Sequence, residues 1–392
     1  MRWSSPRPSY DVVVVGGGGH GLATAYYLAL RHGITNVAVL ERSYIGAGNS
    51  GRNTTVIRSN YGLPEAVAFY QRSVELYAQL EAETDRVLMH RTRGLLWLAH
   101  SEGSLRAERA RALVNSACGA QTTFVEPPEI ARLCPQIDLA GGGRYPVLGA
   151  SYHAEGATAR HDRVVWAYAE GAMRAGVHVH QRTPVTGLRL TGGKVTGVET
   201  PQGTIAAGLV VSAAGGQVSQ IAAMAGVRLP IVTHPLQAFV TNHYAETLGP
   251  VVISADLLTY VSQTPRGELL VGAEIDRQPS YAYRSGFPFL ATCSLRAMTL
   301  LPFMRRLRLL RQWAGVCDMS PDYSPIMGET GVDGFLVTTG WGTWGFKAIP
   351  AGGEQLAETI ATGRPAPLVA PFSLDRFERD RTLADRGSAG TH

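Results

Sequence analysis

Four consecutive valines, Val12 to Val15, run straight into Gly16-Gly-Gly-Gly-His-Gly21, and this stretch limits the fold more than any other. An unbroken β-branched run marks a strand buried on both faces, as in a parallel sheet. Gly16, Gly18 and Gly21 fit G-x-G-x-x-G. In that pattern the first glycine makes the tight turn, the second lets backbone approach a pyrophosphate, and the third lets helix pack on strand. Leu22 to Arg31 reads as the helix that follows, its N-terminus presenting roughly half a positive charge to a phosphate. Val37-Ala-Val-Leu-Glu41 reads as the next strand, and Glu41 stands 20 positions past Gly21, where a carboxylate accepts hydrogen bonds from a ribose. Strand, glycines, helix and acid together predict a dinucleotide site touched by Gly16, Gly18, Gly19, Gly21 and Glu41. A glycine-rich turn that serves tight packing alone is the competing reading.

The 392 residues, 45% of them hydrophobic, suffice for a sizeable core and two domains. No apolar run reaches the roughly 18 residues of a membrane span, so none is expected. Met1 to Ser9 holds two arginines and no apolar stretch, unlike a signal peptide. Cys118, Cys134, Cys293 and Cys317 are scattered without a C-x-x-C pair. Neither a metal site nor a disulfide framework is expected, and a reducing cytoplasm fits. The net charge of +5 rests on 34 arginines and only two lysines, Lys194 and Lys347. Dispersed arginines argue against nucleic-acid binding. Arg305, Arg306, Arg308 and Arg311 form the exception, either a solvated face or a surface that docks a partner or steers anions.

Farther along, Tyr44-Ile-Gly-Ala-Gly-Asn-Ser-Gly-Arg-Asn53 is a small, polar, glycine-rich loop able to lie flat against a ring system. Residues 54–58 read as a short strand, 64–84 as a helix opened by a proline, 94–99 as a strand, and 102–116 and 127–133 as helices. Residues 159–176 are predicted helical, 177–180 extended, and 183–199 a hairpin around Gly192-Gly193. Residues 209–216 form another buried strand ending in glycines. Then 231–241, 251–254, 259–263 and 268–271 are strand-like with turns and no helix between, which predicts an antiparallel sheet. Residues 287–304 read as helix, 308–317 as extended, 335–340 as a last buried strand, and 352–361 as a final helix. The expected fold is an α/β Rossmann-like nucleotide domain, discontinuous over 1–85, 155–228 and 322–392. An α+β substrate domain with the antiparallel sheet takes 86–154 and 229–321.

Several long motifs occur in order: Gly16-Gly-Gly-Gly-His-Gly-Leu-Ala-Thr-Ala-Tyr-Tyr-Leu28, Gly48-Asn-Ser-Gly-Arg-Asn-Thr-Thr-Val-Ile-Arg-Ser-Asn-Tyr61, Arg144-Tyr-Pro-Val-Leu-Gly149, Ala159-Arg-His-Asp162 and Gly340-Trp-Gly-Thr-Trp-Gly-Phe-Lys347. Over nearly the whole chain they resemble the β-subunit family of heterotetrameric sarcosine oxidases, which are D-amino-acid-oxidase-like flavoenzymes. The resemblance implies FAD bound without a covalent link, its isoalloxazine meeting the antiparallel sheet. It places Arg42 near the adenine end and Gly48, Asn49, Ser50, Arg52, Asn53 and Thr54 near the flavin. Ala214 and Gly215 make a second contact, and Gly342, Thr343, Gly345, Phe346 and Lys347 a third. It further implies FMN attached covalently at His161, seated against an α subunit that has its own NAD site, with two small subunits completing the assembly. A neutral imidazole is a competent nucleophile toward a flavin methyl carbon. The plain alternative makes His161 a polar residue opening a helix.

The implied substrate is a small secondary or N-methyl amino acid such as sarcosine, whose carboxylate needs cations. Arg58 and Lys347 are the candidates, because proteins with these motifs place both at the flavin. Arginine binds a carboxylate bidentately and lysine adds a point charge. A structural salt bridge for Arg58 and a snorkelling surface position for Lys347 are the alternatives. Such a clamp fixes the reacting C–H, and no strong general base is required if the amine binds neutral. Tyr61 and Tyr260 are expected to line the pocket. Trp344 stands where the resembling β subunits carry glycine. An indole there narrows the pocket, stacks on substrate or points away, and opens N,N-dimethylglycine, N-methylglutamate or proline as substrates. The functional expectation is a catalytic β subunit that passes electrons from FAD to FMN. The alternative is a stand-alone or differently partnered FAD-dependent amine or amino-acid dehydrogenase.

Overall fold

The computed structural model describes residues 5–383; positions 1–4 and 384–392, where the signal-peptide reading and the outer ends of the domain ranges fall, lie outside the described residues. Val12 to Val15 pair in parallel on both sides, with Leu209 to Ser212 and with Val37 to Leu40; all four are buried because Val12 and Val14 enter the core on one face and Val13 and Val15 that on the other. From one edge the sheet runs Gly187–Thr191, Lys194–Thr200, Gly203–Ser212, Ser9–Val15, Val37–Leu40 and His178–His180. Phe335–Thr339 adds in parallel to the end of Gly203–Ser212. A strand not anticipated, Ile326–Glu329, closes that edge antiparallel. Its four residues include Gly328 at φ 101°, so no alternation announces it.

The second eight-stranded sheet runs Leu309–Met319, Val232–His243, Glu268–Ile275, Thr259–Gln263, Val251–Ser254, Leu95–Ala99, Gly149–His153 and Thr122–Val125. It is antiparallel except where Leu95–Ala99 joins Val251–Ser254 in parallel. The strands read as antiparallel between 231 and 271 do pair so, and the parallel joint to Leu95–Ala99 is an addition, because a partner from far earlier in the chain leaves no local signal. A third sheet of three short strands, Val56–Ile57, Ala157–Thr158 and Arg91–Thr92, carries the chain toward Arg58.

Two helix readings are also corrected. The final helix spans Gly345–Thr362 rather than 352–361, with Pro350 inside it. A proline has no N–H for the carbonyl four residues back, which ordinarily ends a helix. Here the Tyr77 hydroxyl donates to the Phe346 carbonyl at 2.6 Å, replacing that missing donor. Ser73 Oγ likewise donates to the Lys347 carbonyl at 2.6 Å. Both come from Pro64–Thr84, so a neighbouring helix supplies what the proline removes. The 287–304 helix divides into Phe287–Leu300 and a short turn, Pro302–Arg306, as a residue before proline is pushed out of helical geometry. Among the described residues no helix is long and apolar enough to cross a membrane.

Candidate active site

A cavity of about 790 Å³ begins at the carboxyl ends of the parallel strands and reaches the face of the second sheet. That volume lies within the range of ligand and cofactor sites. Its first end is made of backbone. Gly16 sits at φ 118°, and a Cβ on it would lie 2.5 Å from the Ala213 carbonyl oxygen. A Cβ on Gly21 would lie 2.1 Å from the Gly16 oxygen, so Gly21 packs helix on turn and is not on the cavity wall, whereas Gly16, Gly18 and Gly19 are. The helix Gly19–His32 has glycine at its N-cap, no side-chain cap and no acid in its first turn. Its positive end is therefore not neutralised from within, as an anion site requires.

Glu41 is buried beside this turn. Its two carboxylate oxygens accept from Gly17 N at 2.9 Å and Ser43 N at 2.8 Å. Each oxygen keeps lone-pair capacity for a further donor such as a ribose hydroxyl. Thr183 N donates to Glu41 O, which brings Pro184 and Val185 into the wall; the sequence reading did not find them. Arg42 reaches the rim as an exposed residue, and Ala214 and Gly215 line the opposite side, with open space where a Gly215 Cβ would be. Glycine cradle, open helix terminus and acceptor carboxylate fit the adenosine and pyrophosphate of FAD.

The middle of the cavity is the loop holding Gly48, Asn49, Ser50, Arg52, Asn53 and Thr54. Asn49 Oδ1 accepts from Val316 N at 2.8 Å, and Trp313 Nε1 donates to the Arg52 carbonyl at 2.7 Å, tying the loop to the second sheet's edge strand. Thr55, also on the wall, is held at φ 63° with its N–H on Asn53 Oδ1 at 2.8 Å. A β-branched residue there is strained.

The far end is made of side chains. Arg58 is 4% exposed, and its Nη1 donates to the carbonyl and Oδ1 of Asn60 at 2.9 and 3.1 Å. Lys347 is 7% exposed and occupies the first turn of Gly345–Thr362, which is not the snorkelling surface position. Its Nζ donates to Thr343 O at 3.2 Å. Burial first, and the Arg58 charge second, hold the Lys347 amine well below the ordinary lysine range. The helix N-terminus disfavours a cation as well. A guanidinium and an amine whose charge is disfavoured therefore meet at one cavity end, where an anion would favour the charged form of both. Tyr260 lines the same end, its hydroxyl 2.9 Å from Thr54 Oγ1, and burial raises its pKa. Gly342, Thr343, Gly345 and Phe346 complete this wall.

Besides Gly21, three expected site residues lie off the wall. Tyr61 and Trp344 are buried behind Arg58 with ring centroids 4.8 Å apart, so Trp344 neither narrows the cavity nor faces an occupant. His161 opens the helix His161–Arg174 on the outer side of the Gly48–Asn53 loop, with Nε2 3.1 Å from Gly51 O and Nδ1 3.8 Å from Asp162 Oδ1. Desolvation leads the causes that lower its pKa, favouring the neutral imidazole.

The sequence reading missed His20, Trp97 and Asp318. His20 stacks on Trp341 at 4.1 Å, bonds Gly345 O through Nε2 at 2.9 Å, and burial lowers its pKa to about 3. A histidine inside a glycine motif was the available signal. Asp318 accepts from Thr339 Oγ1 and Gly340 N, each at 2.8 Å, shaping the turn ahead of Lys347. Trp97 sits in the uniformly buried strand Leu95–Ala99 and carries no local signal.

Residues 11–359 match the FAD dependent oxidoreductase family. The sarcosine oxidase subunit beta of Arthrobacter sp. is 44% identical over 389 residues, covering 99% of this chain and 96% of that protein. Its namesake from Rhodobacter capsulatus is 43% identical over 390 residues, covering 99% and 94%. Among solved structures, L-proline dehydrogenase from P. horikoshii superposes with a TM-score of 0.91 at 29% identity, covering 96% of this chain and 100% of that one. The chain belongs to the FAD-dependent oxidoreductase family, with the sarcosine oxidase β subunits as relatives along nearly its full length.

Proposed function

We propose that this chain is the catalytic β subunit of a multi-subunit sarcosine oxidase, oxidising a small secondary or N-methyl amino acid at FAD and passing electrons to FMN. The observation that carries the reading is the pair of buried cations, Arg58 and Lys347, at the end of the cavity that continues from the glycine cradle. Bound FAD supplies a two-electron acceptor. Arg58 and Lys347 hold the substrate carboxylate through charge-assisted bonds. Holding the anion also fixes where the carbon beside nitrogen lies, which is the contribution of orientation to the rate. Loss of that C–H hydrogen with its electron pair, and of the amine proton, leaves an imine. Water then hydrolyses it, and sarcosine yields glycine and formaldehyde. The L-proline dehydrogenase likeness supports a second substrate, proline, within the same secondary-amine class.

FMN attachment at His161 is part of this reading. A neutral ring keeps one nitrogen unprotonated for a bond to a flavin carbon. The face beside it carries exposed Arg311, Leu309 and Leu310 on an edge strand, a surface suited to an α subunit and an anionic cofactor. Two small subunits complete the proposed assembly, and the four free cysteines support a cytoplasmic location. The domain division at 1–85, 155–228 and 322–392 against 86–154 and 229–321 is likewise proposed, because each eight-stranded sheet draws its strands from one of these sets.

Co-expression with neighbouring genes, then anaerobic titration with sarcosine, N,N-dimethylglycine, N-methylglutamate and proline, tests the substrate. Failure of every amine to bleach the FAD would remove the reading. Denatured wild-type chain should retain an adduct of FMN mass that His161→Ala lacks while keeping its FAD. An adduct that persists in the variant moves the attachment elsewhere.

A further inference from the structure

Arg58 is part of a layered stack. Its Cζ lies 4.2 Å from the centre of the Tyr61 ring and 4.7 Å from that of Trp97. Arg111 Cζ lies 4.2 Å from the same Trp97 ring. Two guanidiniums thus converge on one indole, and their Nη1 groups also share one acceptor, the Asn60 carbonyl, at 2.9 and 3.3 Å. Like charges brought this close repel. Glu108 offsets the repulsion: it takes Arg111 Nε and Nη2 at 3.0 and 3.3 Å, and Ser151 Oγ donates to it at 2.6 Å. Both partners of the pair are nearly fully buried, Arg111 at 3% and Glu108 at 2% exposure.

Trp97 is the joint between this buried pair and the cavity. It is 2% exposed and lines the wall, yet its Nε1 has no hydrogen-bond partner among the described residues. An indole whose N–H is unused is held there by its faces, and an indole face is the strongest aromatic partner for a cation.

We propose that Trp97, backed by the Glu108–Arg111 pair, is a positioning residue of the carboxylate clamp, fixing the plane of the Arg58 guanidinium before a substrate arrives. The role rests on the amino-acid reading of the site. A guanidinium fixed in advance loses little freedom on binding, so the gain falls on affinity for carboxylates.

The test uses the FAD-loaded chain. Wild type, Trp97→Leu, Trp97→Phe and Glu108→Gln are compared by anaerobic FAD reduction with sarcosine, and by calorimetric titration with propionate, a carboxylate that has no amine to oxidise. Trp97→Leu should raise both dissociation constants about tenfold, and propionate, which is not oxidised, reads that loss apart from the chemical step. Trp97→Phe keeps a ring face and should recover most of the affinity. Glu108→Gln loosens Arg111 and should weaken both ligands in the same direction. A wild type that binds sarcosine and propionate, matched by Trp97→Leu, overturns the positioning role alone. Should Trp97→Leu fail to fold, Trp97→Phe near wild type with Glu108→Gln weakened supports the role, and both at wild-type affinity overturn it. A wild type that binds neither ligand overturns the amino-acid reading and this role with it.

Discussion

The two ends of the cavity are built from different material. The cradle is made of backbone: glycines leave room, and a helix terminus and turn present N–H groups. The proposed clamp instead relies on long side chains delivered from separate parts of the chain, Arg58 after the strand Val56–Ile57 and Lys347 from the last helix. Backbone sites depend on what is missing from the side chains, so they tolerate no addition. Side-chain sites depend on what is present, so they weaken by degrees.

The sharpest break should come at the cradle. Gly21→Val would place atoms where a Cβ already meets the Gly16 backbone oxygen at 2.1 Å, with the Val14 and Ala213 side chains at 3.1 and 3.3 Å. We expect complete loss of FAD, read as absorbance of the purified protein, and overpacking that costs at least about 1–3 kcal/mol of stability. Retained FAD would show that the turn can give way.

The clamp should respond by degrees. Lys347→Met should leave FAD bound and weaken carboxylate binding about tenfold to a hundredfold, the loss of one charge-assisted bond. Binding unchanged by the substitution would take Lys347 out of the clamp. The pH dependence sharpens this point. Burial, and then the Arg58 charge, hold the Lys347 amine below its ordinary range. Below that depressed pKa it is already charged, and propionate binds at full strength. Above it, propionate binding must take up a proton, so affinity falls by up to about tenfold per pH unit. In Lys347→Met this slope should vanish; a slope that remains assigns the titration to another group.

The smallest effect is expected between the two ends. Thr55 holds φ 63° on the loop that joins cradle to clamp. Thr55→Gly removes the strain of a β-branched residue in that region but adds chain entropy to the unfolded state, so the net change in stability should stay within about 1 kcal/mol. A thermal melt checks it, and a larger loss would mean that the threonine side chain is itself holding the loop.

Trp344 shows how far the clamp extends beyond its contacts. It packs on Tyr61, whose ring faces Arg58, so a substitution at this position acts on the cation from behind and not on the pocket's width. From sequence, an indole three residues before Lys347 either reshapes the pocket, stacks on substrate or points away, and the structure takes the last. The helical turn that begins at Gly345 is what rotates it into the core.

What the sequence alone determined is whatever a few adjacent residues decide. The strand, the glycine turn, the acceptor Glu41 and the helix Pro64–Thr84 were readable because β-branched runs, missing side chains and a proline at a helix start act within one or two turns of chain. Tertiary structure decided the rest. Pro350 stays inside a helix only because Tyr77 satisfies the carbonyl it leaves open. Leu95–Ala99 finds its parallel partner, and Trp97 its two arginines, through contacts between residues far apart in the chain. Local spacing constrains backbone geometry, whereas the meeting of distant charges depends on how the whole chain packs.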